Sequence, residues 1–156
     1  MMTKRSAAFW LMVLLITALF VNAESRPNFS GTWKQNMEKS PTKTSLKSYV
    51  NKIELQDTSL TVVVTMAGDR GENTYTRSYT IGKEEKSQDR EGDQFTTNVR
   101  WEGNTLVFET VEKEHDATLT SKEVWTLSTD GKTLTKTIHR SGPKGESDQS
   151  YVLERQ

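Results

Sequence analysis

From Phe29 onward, apolar and polar positions alternate in short runs. Tyr75, Arg77, Tyr79 and Ile81 share one parity, with Thr74, Thr76, Ser78 and Thr80 between them. Phe95, Thr97, Val99 and Trp101 alternate with Thr96, Asn98 and Arg100. Leu119, Trp125 and Leu127 fall on one parity, and so do Leu134 and Ile138. A period of two marks a strand with one buried face. The many threonines agree with this, because a β-branched side chain fits a pleated surface better than a helix. Ser59 to Met66 is the densest run, with Val62, Val63 and Val64 consecutive. That density predicts a strand buried on both faces.

Turn residues divide the runs at short intervals. Ala67 to Gly71, Glu102-Gly103-Asn104 and Thr129 to Lys132 read as tight hairpin connections. Ser141 to Gly145 reads as a longer loop, since Pro143 cannot sit inside a sheet. The count comes to eight to ten strands joined in order, with no amphipathic helix after the N-terminal segment. The predicted fold is all-β, a single antiparallel up-and-down barrel, because closure removes the exposed edges of an open meander. A two-sheet sandwich is the alternative.

The N-terminus departs from this pattern. Lys4 and Arg5 precede an apolar run from Ala7 to Val21, broken only by Thr17, and Val21-Asn22-Ala23 supplies modest residues at a cleavage site. The run falls short of the ~20 residues a membrane-spanning helix needs. Residues 1–23 therefore read as a cleaved secretory signal peptide, and residues 24–156 as the barrel domain. A secreted or periplasmic location follows. The chain has no Cys, which excludes both a lipobox anchor and disulfides. After cleavage acids exceed bases by about two, giving no electrostatic reason to expect nucleic acid or a membrane surface as partner. About a quarter of the remaining residues are apolar, which is low for a globular domain and suits a thin-walled barrel.

Phe29-Ser30-Gly31-Thr32-Trp33-Lys34 resembles the first-strand Gly-x-Trp signature of the lipocalin and fatty-acid-binding-protein (calycin) superfamily. Ser78 to Glu85 resembles the strand of the fatty-acid-binding branch that ends in Gly and acids. Trp101 to Val107 lies in a segment similar to the hairpin that follows it. The whole resembles lipocalin-like domains of secreted bacterial proteins, over about Asn28 to Arg155. The resemblance implies a barrel that captures a small, mainly apolar molecule without a cofactor. It also implies that Trp33 plugs one barrel end beneath a late-strand cation, for which Arg140 and Arg155 are the candidates. Two features depart from the fatty-acid carriers. Met37 to Tyr49 contains Pro41 and is too short for their two lid helices. Their last-strand Arg-x-Tyr pair is replaced by Tyr151-Val152-Leu153, so the usual partner of a buried carboxylate is missing.

Tyr75, Tyr79 and Tyr151 are the candidate ligand handles, because a buried tyrosine needs a hydroxyl partner. Trp101 is a candidate aromatic wall, with core packing as its ordinary role. Arg77 shares the parity of Tyr75 and Tyr79 and would supply the missing cation if it points inward, but an edge or rim position is its ordinary reading. The catalytic search is thin. Only His115 and His139 are available, and no Ser stands in a nucleophile-elbow context. Glu112, Glu114, His115 and Asp116 read as an acidic solvated turn rather than a metal site, since strand neighbours face opposite ways. Asp89 to Asp93 lacks the spacing of a calcium loop. Asn28-Phe29-Ser30 is a glycosylation sequon, relevant only where the source glycosylates secreted proteins. The expectation is a monomeric binding protein, not an enzyme. The other reading is a filled barrel that serves as an envelope or interaction module.

Overall fold

The computed structural model describes residues 26–89, 92–114 and 117–156. The expected signal peptide and cleavage site lie outside these residues, as do His115 and Asp116.

Ten strands follow one another: β1 (Gly31–Gln35), β2 (Ser48–Gln56), β3 (Ser59–Gly68), β4 (Gly71–Thr80), β5 (Glu84–Gln88), β6 (Gln94–Glu102), β7 (Thr105–Glu114), β8 (Ala117–Leu127), β9 (Thr133–Gly142) and β10 (Gly145–Arg155). All ladders are antiparallel, in the order β4-β3-β2-β1-β10-β9-β8-β7-β6-β5. Pairing of β1 with β10 closes the meander, with Trp33 opposite Arg155 and Gln35 opposite Leu153. The barrel is open only between β4 and β5. There the Ile81 amide donates to the Thr58 carbonyl (2.7 Å) and the Gly82 amide to the Val99 carbonyl (2.7 Å).

Register aligns the parity sets seen in the sequence. Val62 faces Arg77 and Leu60 faces Tyr79. Val99 faces Phe108, and Leu106 faces Trp125. The dense valine run is buried on one face only. Leu60, Val62 and Val64 belong to the core, while Val63 stays half-buried on the outer surface. The expectation of two buried faces fails because a barrel wall has water outside. The Pro143 connection is also tighter than expected. Gly142 pairs with Gly145, leaving Pro143 and Lys144 as the turn.

One end of the barrel is sealed. Phe29, Trp33, Leu60, Leu106, Leu134 and Leu153 have no measurable exposure. The Trp33 indole N–H donates to the Phe29 carbonyl (2.9 Å), and the Arg155 guanidinium lies 4.1 Å from the centre of its ring system. Arg155 also donates to the carbonyls of Ser30 (2.6 Å) and Gly131 (2.9 Å). Gly31 has a φ of +139°, and a side chain there would run into the Arg155 guanidinium. Its glycine is thus required by both conformation and space. Arg140 is not at this plug. It stands far along β9, paired with Ser121 and Ser147 near the other end.

At that other end, the β1–β2 connection is an irregular strap with no helix. Thr42 donates its amide to the Ser150 carbonyl (3.1 Å), and Lys47 donates to the Ala67 carbonyl (2.8 Å). The strap therefore runs from β10 to β3 across the wedge left by the short β1.

Candidate ligand site

The inner wall changes character with depth. Above the sealed end lies an aromatic floor. Phe29 packs on Trp101 (5.9 Å between centroids) and on Trp125 (6.2 Å), Phe108 on Trp125 (4.6 Å), and Tyr79 edge-on to Phe108 (5.5 Å). Trp101 is held by this cluster, and Arg26 lies 5.1 Å from its ring.

A polar layer sits directly above. Lys136 occupies the inward parity of β9, between Leu134 and Ile138, and is only 4% exposed. Its Nζ donates to Asn51 Oδ1 (2.5 Å), lies 3.9 Å from the Trp125 ring centre, and is 4.0 Å from Glu123 Oε1. The Trp125 indole N–H donates to the same Glu123 oxygen (2.5 Å). Burial pushes the Lys136 ammonium down to about 8; attraction to Glu123 opposes this and repulsion from Arg77 adds to it. Lys136 has only donors to offer, so the Asn51 carbonyl must face it. The Tyr49 hydroxyl also donates to that carbonyl (3.5 Å). The other end of the amide, Asn51 Nδ2, is buried without a partner among the described residues. A buried unpaired donor costs about 1–3 kcal/mol.

Arg77 points inward from β4, the wall opposite β8 and β9, and its guanidinium lies 5.2 Å from the Tyr75 ring centre. Part of it reaches solvent although it faces the interior. Burial raises the Tyr79 hydroxyl, and Arg77 partly offsets the rise. Burial likewise holds the Tyr49 hydroxyl far above its ordinary value. Arg77 and Lys136 both feel the negative charge of Glu123, whose carboxylate stands 4.0 Å from Lys136 Nζ.

Of the sequence-predicted ligand residues, Tyr75, Arg77 and Tyr79 stand together on the inner face of β4. Tyr151 faces inward opposite Lys136, and Trp101 belongs to the floor. Asn51, Glu123, Lys136 and Tyr49 were missed. Their signal was parity: Lys136 falls between Leu134 and Ile138, Glu123 precedes Trp125 by two, and Asn51 lies between Tyr49 and Ile53. The acidic turn is also different from its expectation. Glu112 and Glu114 share one face and meet Asp93, with carboxylate oxygens within 4.8 Å of one another. Burial and the two neighbouring carboxylates raise Glu112. An outer groove of about 480 Å³ runs beneath Pro41 and Thr42 over β8–β10. None of the predicted ligand residues lines it.

A ten-stranded meander closed through β1 and β10 and unpaired between β4 and β5 is a specific architecture. It matches zebrafish ileal bile acid-binding protein in complex with cholic acid at a TM-score of 0.56 and 16% identity, over 82% of this chain and 98% of that one. It matches Caenorhabditis elegans lipid binding protein 8 at a TM-score of 0.62 and 13% identity, over 82% and 95%. A Schistosoma mansoni fatty acid binding protein in complex with arachidonic acid gives a TM-score of 0.55 and 10% identity, over 82% and 96%. The fold is that of the fatty-acid-binding-protein barrels. No family model and no curated protein sequence matches the chain. In this chain the Asn36–Lys47 strap, which contains no helix, joins the first two strands, and the inward-facing cations Lys136 and Arg77 stand on β9 and β4 rather than on the last strand.

Proposed function

We propose that the barrel binds a small amphipathic molecule. Its apolar body lies along Val62, Val64, Tyr75 and Ile138, and its acceptor or anionic end is held by Arg77, Lys136 and Asn51. The observation that carries this reading is the buried Asn51 Nδ2, without a partner among the described residues, in the same amide that holds the buried Lys136 ammonium. Such a layer is under-satisfied as it stands and is completed by an acceptor group. Tyr79 and Tyr151 orient the ligand, and the aromatic floor excludes water beneath it. The structural neighbours that carry bile acid and fatty acid support a binding protein over an enzyme. We further propose that it works as an exported monomer, with residues 1–23 as the signal peptide. The filled-barrel reading draws on the close aromatic packing of the floor.

Native mass spectrometry of protein from its own source is expected to show a co-purified small molecule. Tryptophan fluorescence titrations with fatty acids, retinoids and quinones test the same point in vitro. Binding of a fatty acid is expected to weaken about ten- to a hundredfold in Arg77→Gln, the loss of one charge-assisted hydrogen bond. No spectral change across the panel would leave the filled barrel standing instead.

A further inference from the structure

The polar layer holds more than a binding surface needs. Lys136 presents a primary amine whose Nζ is fixed by Asn51 Oδ1 at 2.5 Å and by the Trp125 ring at 3.9 Å. A carboxylate, Glu123, stands 4.0 Å away and is itself oriented by the Trp125 indole N–H. The Asn51 amide that fixes the amine also carries a buried donor with no partner. These are a nucleophile, a proton-transfer group and a donor for developing oxygen charge, supplied by three separate strands.

We propose that Lys136 captures an aldehyde-bearing ligand as a reversible imine, with Glu123 relaying protons and Asn51 Nδ2 holding the carbonyl oxygen. The inference rests on the amphipathic-ligand reading above and names the ligand's reactive group. The neutral amine donates its lone pair to the carbonyl carbon. The C–N bond forms as the C=O π pair moves to oxygen, where Asn51 Nδ2–H supports it. A proton passes from nitrogen to oxygen through Glu123, giving a carbinolamine. The C–O bond then breaks, the oxygen leaves as water with a second proton, and the nitrogen lone pair closes the C=N bond. Aldehyde and amine become imine and water, with no oxidant or reductant. The Glu123 carboxylate balances the charge when the imine is protonated.

Burial favours the neutral amine that the first step requires. With Lys136 held at about 8, roughly a tenth of it is free base at pH 7, against well under a thousandth of an ordinary lysine. Ser121, Ile138 and Gln149, the next residues of the same parity on β8, β9 and β10, are partly exposed. The neighbouring Arg77 is solvated on the opposite wall.

The test incubates the full chain with decanal and with cinnamaldehyde in the presence of cyanoborohydride, followed by peptide mapping. A trapped adduct adds the mass of the aldehyde less one oxygen. The expected result is modification at Lys136 at least about tenfold above any other lysine, following its free-base excess. An excess of decanol, which binds without reacting, is expected to suppress the adduct, and Lys136→Arg to abolish it. Should that variant not fold, the wild-type peptide map still decides. Adducts spread evenly over surface lysines overturn the proposal. So does decanol binding, read by tryptophan fluorescence, with no decanal adduct at Lys136. If decanol and decanoic acid do not bind either, the amphipathic-ligand reading falls together with it.

Discussion

A lysine inside a barrel is an expense unless it is used, and Lys136 shows how that expense reads out. Its folded-state value near 8 lies below that of the unfolded chain. Between those values the unfolded chain binds more protons, so stability rises with pH. The penalty is full below about pH 8 and shrinks as the buried amine becomes neutral. Tyr49 and Tyr79 act in the opposite sense, because their hydroxyls are raised and the unfolded tyrosines ionise first, near pH 10. Arg77, raised further above its already high ordinary value, keeps its charge throughout this range. From about pH 8 to about pH 9.5 the wild type is expected to gain about 1–2 kcal/mol, measured by urea unfolding. Lys136→Met is expected to remove the gain. At this scale the sequence was half legible. Gly31 and Trp33 could be read because a motif marks them, and Arg155 as one of two plug candidates. Lys136, Glu123 and Asn51 could not, because an alternation argument follows apolar residues and passes over a charge on the same parity.

Among the elements, the strands were legible and the strap was not. A period of two survives in every wall because each strand has water on one side and packed side chains on the other. The strap has no period. It is held by discrete bonds, of which Ser40 makes the most telling set. Ser40 is 1% exposed. Its hydroxyl donates to the Asn36 carbonyl (2.7 Å) and accepts from the Val152 amide (3.0 Å) and from Gln35 Nε2 (3.1 Å). In effect one hydroxyl replaces the ladder partner that β10 loses where β1 ends. Ser40→Ala leaves a half-buried amide and a buried carboxamide without that partner. It is expected to cost about 1–3 kcal/mol in thermal unfolding. Hydrogen exchange is expected to quicken at Val152 and Ser150 more than at the far side of the barrel. A uniform change across all strands would mean that the strap is not locally anchored.

The whole molecule depends on the residues just before β1 more than a barrel closed by hydrogen bonds alone would. Every ladder, including the β1–β10 closure, falls between Gly31 and Arg155. Yet the sealed end is completed from outside the strands by Phe29, which is fully buried against Trp101 and Trp125. The proposed cleavage after Ala23 would leave this plug intact by a margin of five residues, Glu24 to Asn28. A chain beginning at Glu24 is therefore expected to melt within about 2 °C of one carrying residues 1–23, since it keeps every residue of the core described above. A chain beginning at Ser30 gives up Phe29 and the carbonyl that accepts from Trp33. It is expected to lose about 3–5 kcal/mol, the usual cost of emptying an aromatic site. Differential scanning calorimetry of the three chains reads both outcomes. Mass spectrometry of the exported protein, expected to begin at Glu24, ties the processing site to the point where the fold begins. A mature N-terminus beyond Phe29 would break that link, because the ring that packs on Trp101 and Trp125 would leave with the signal.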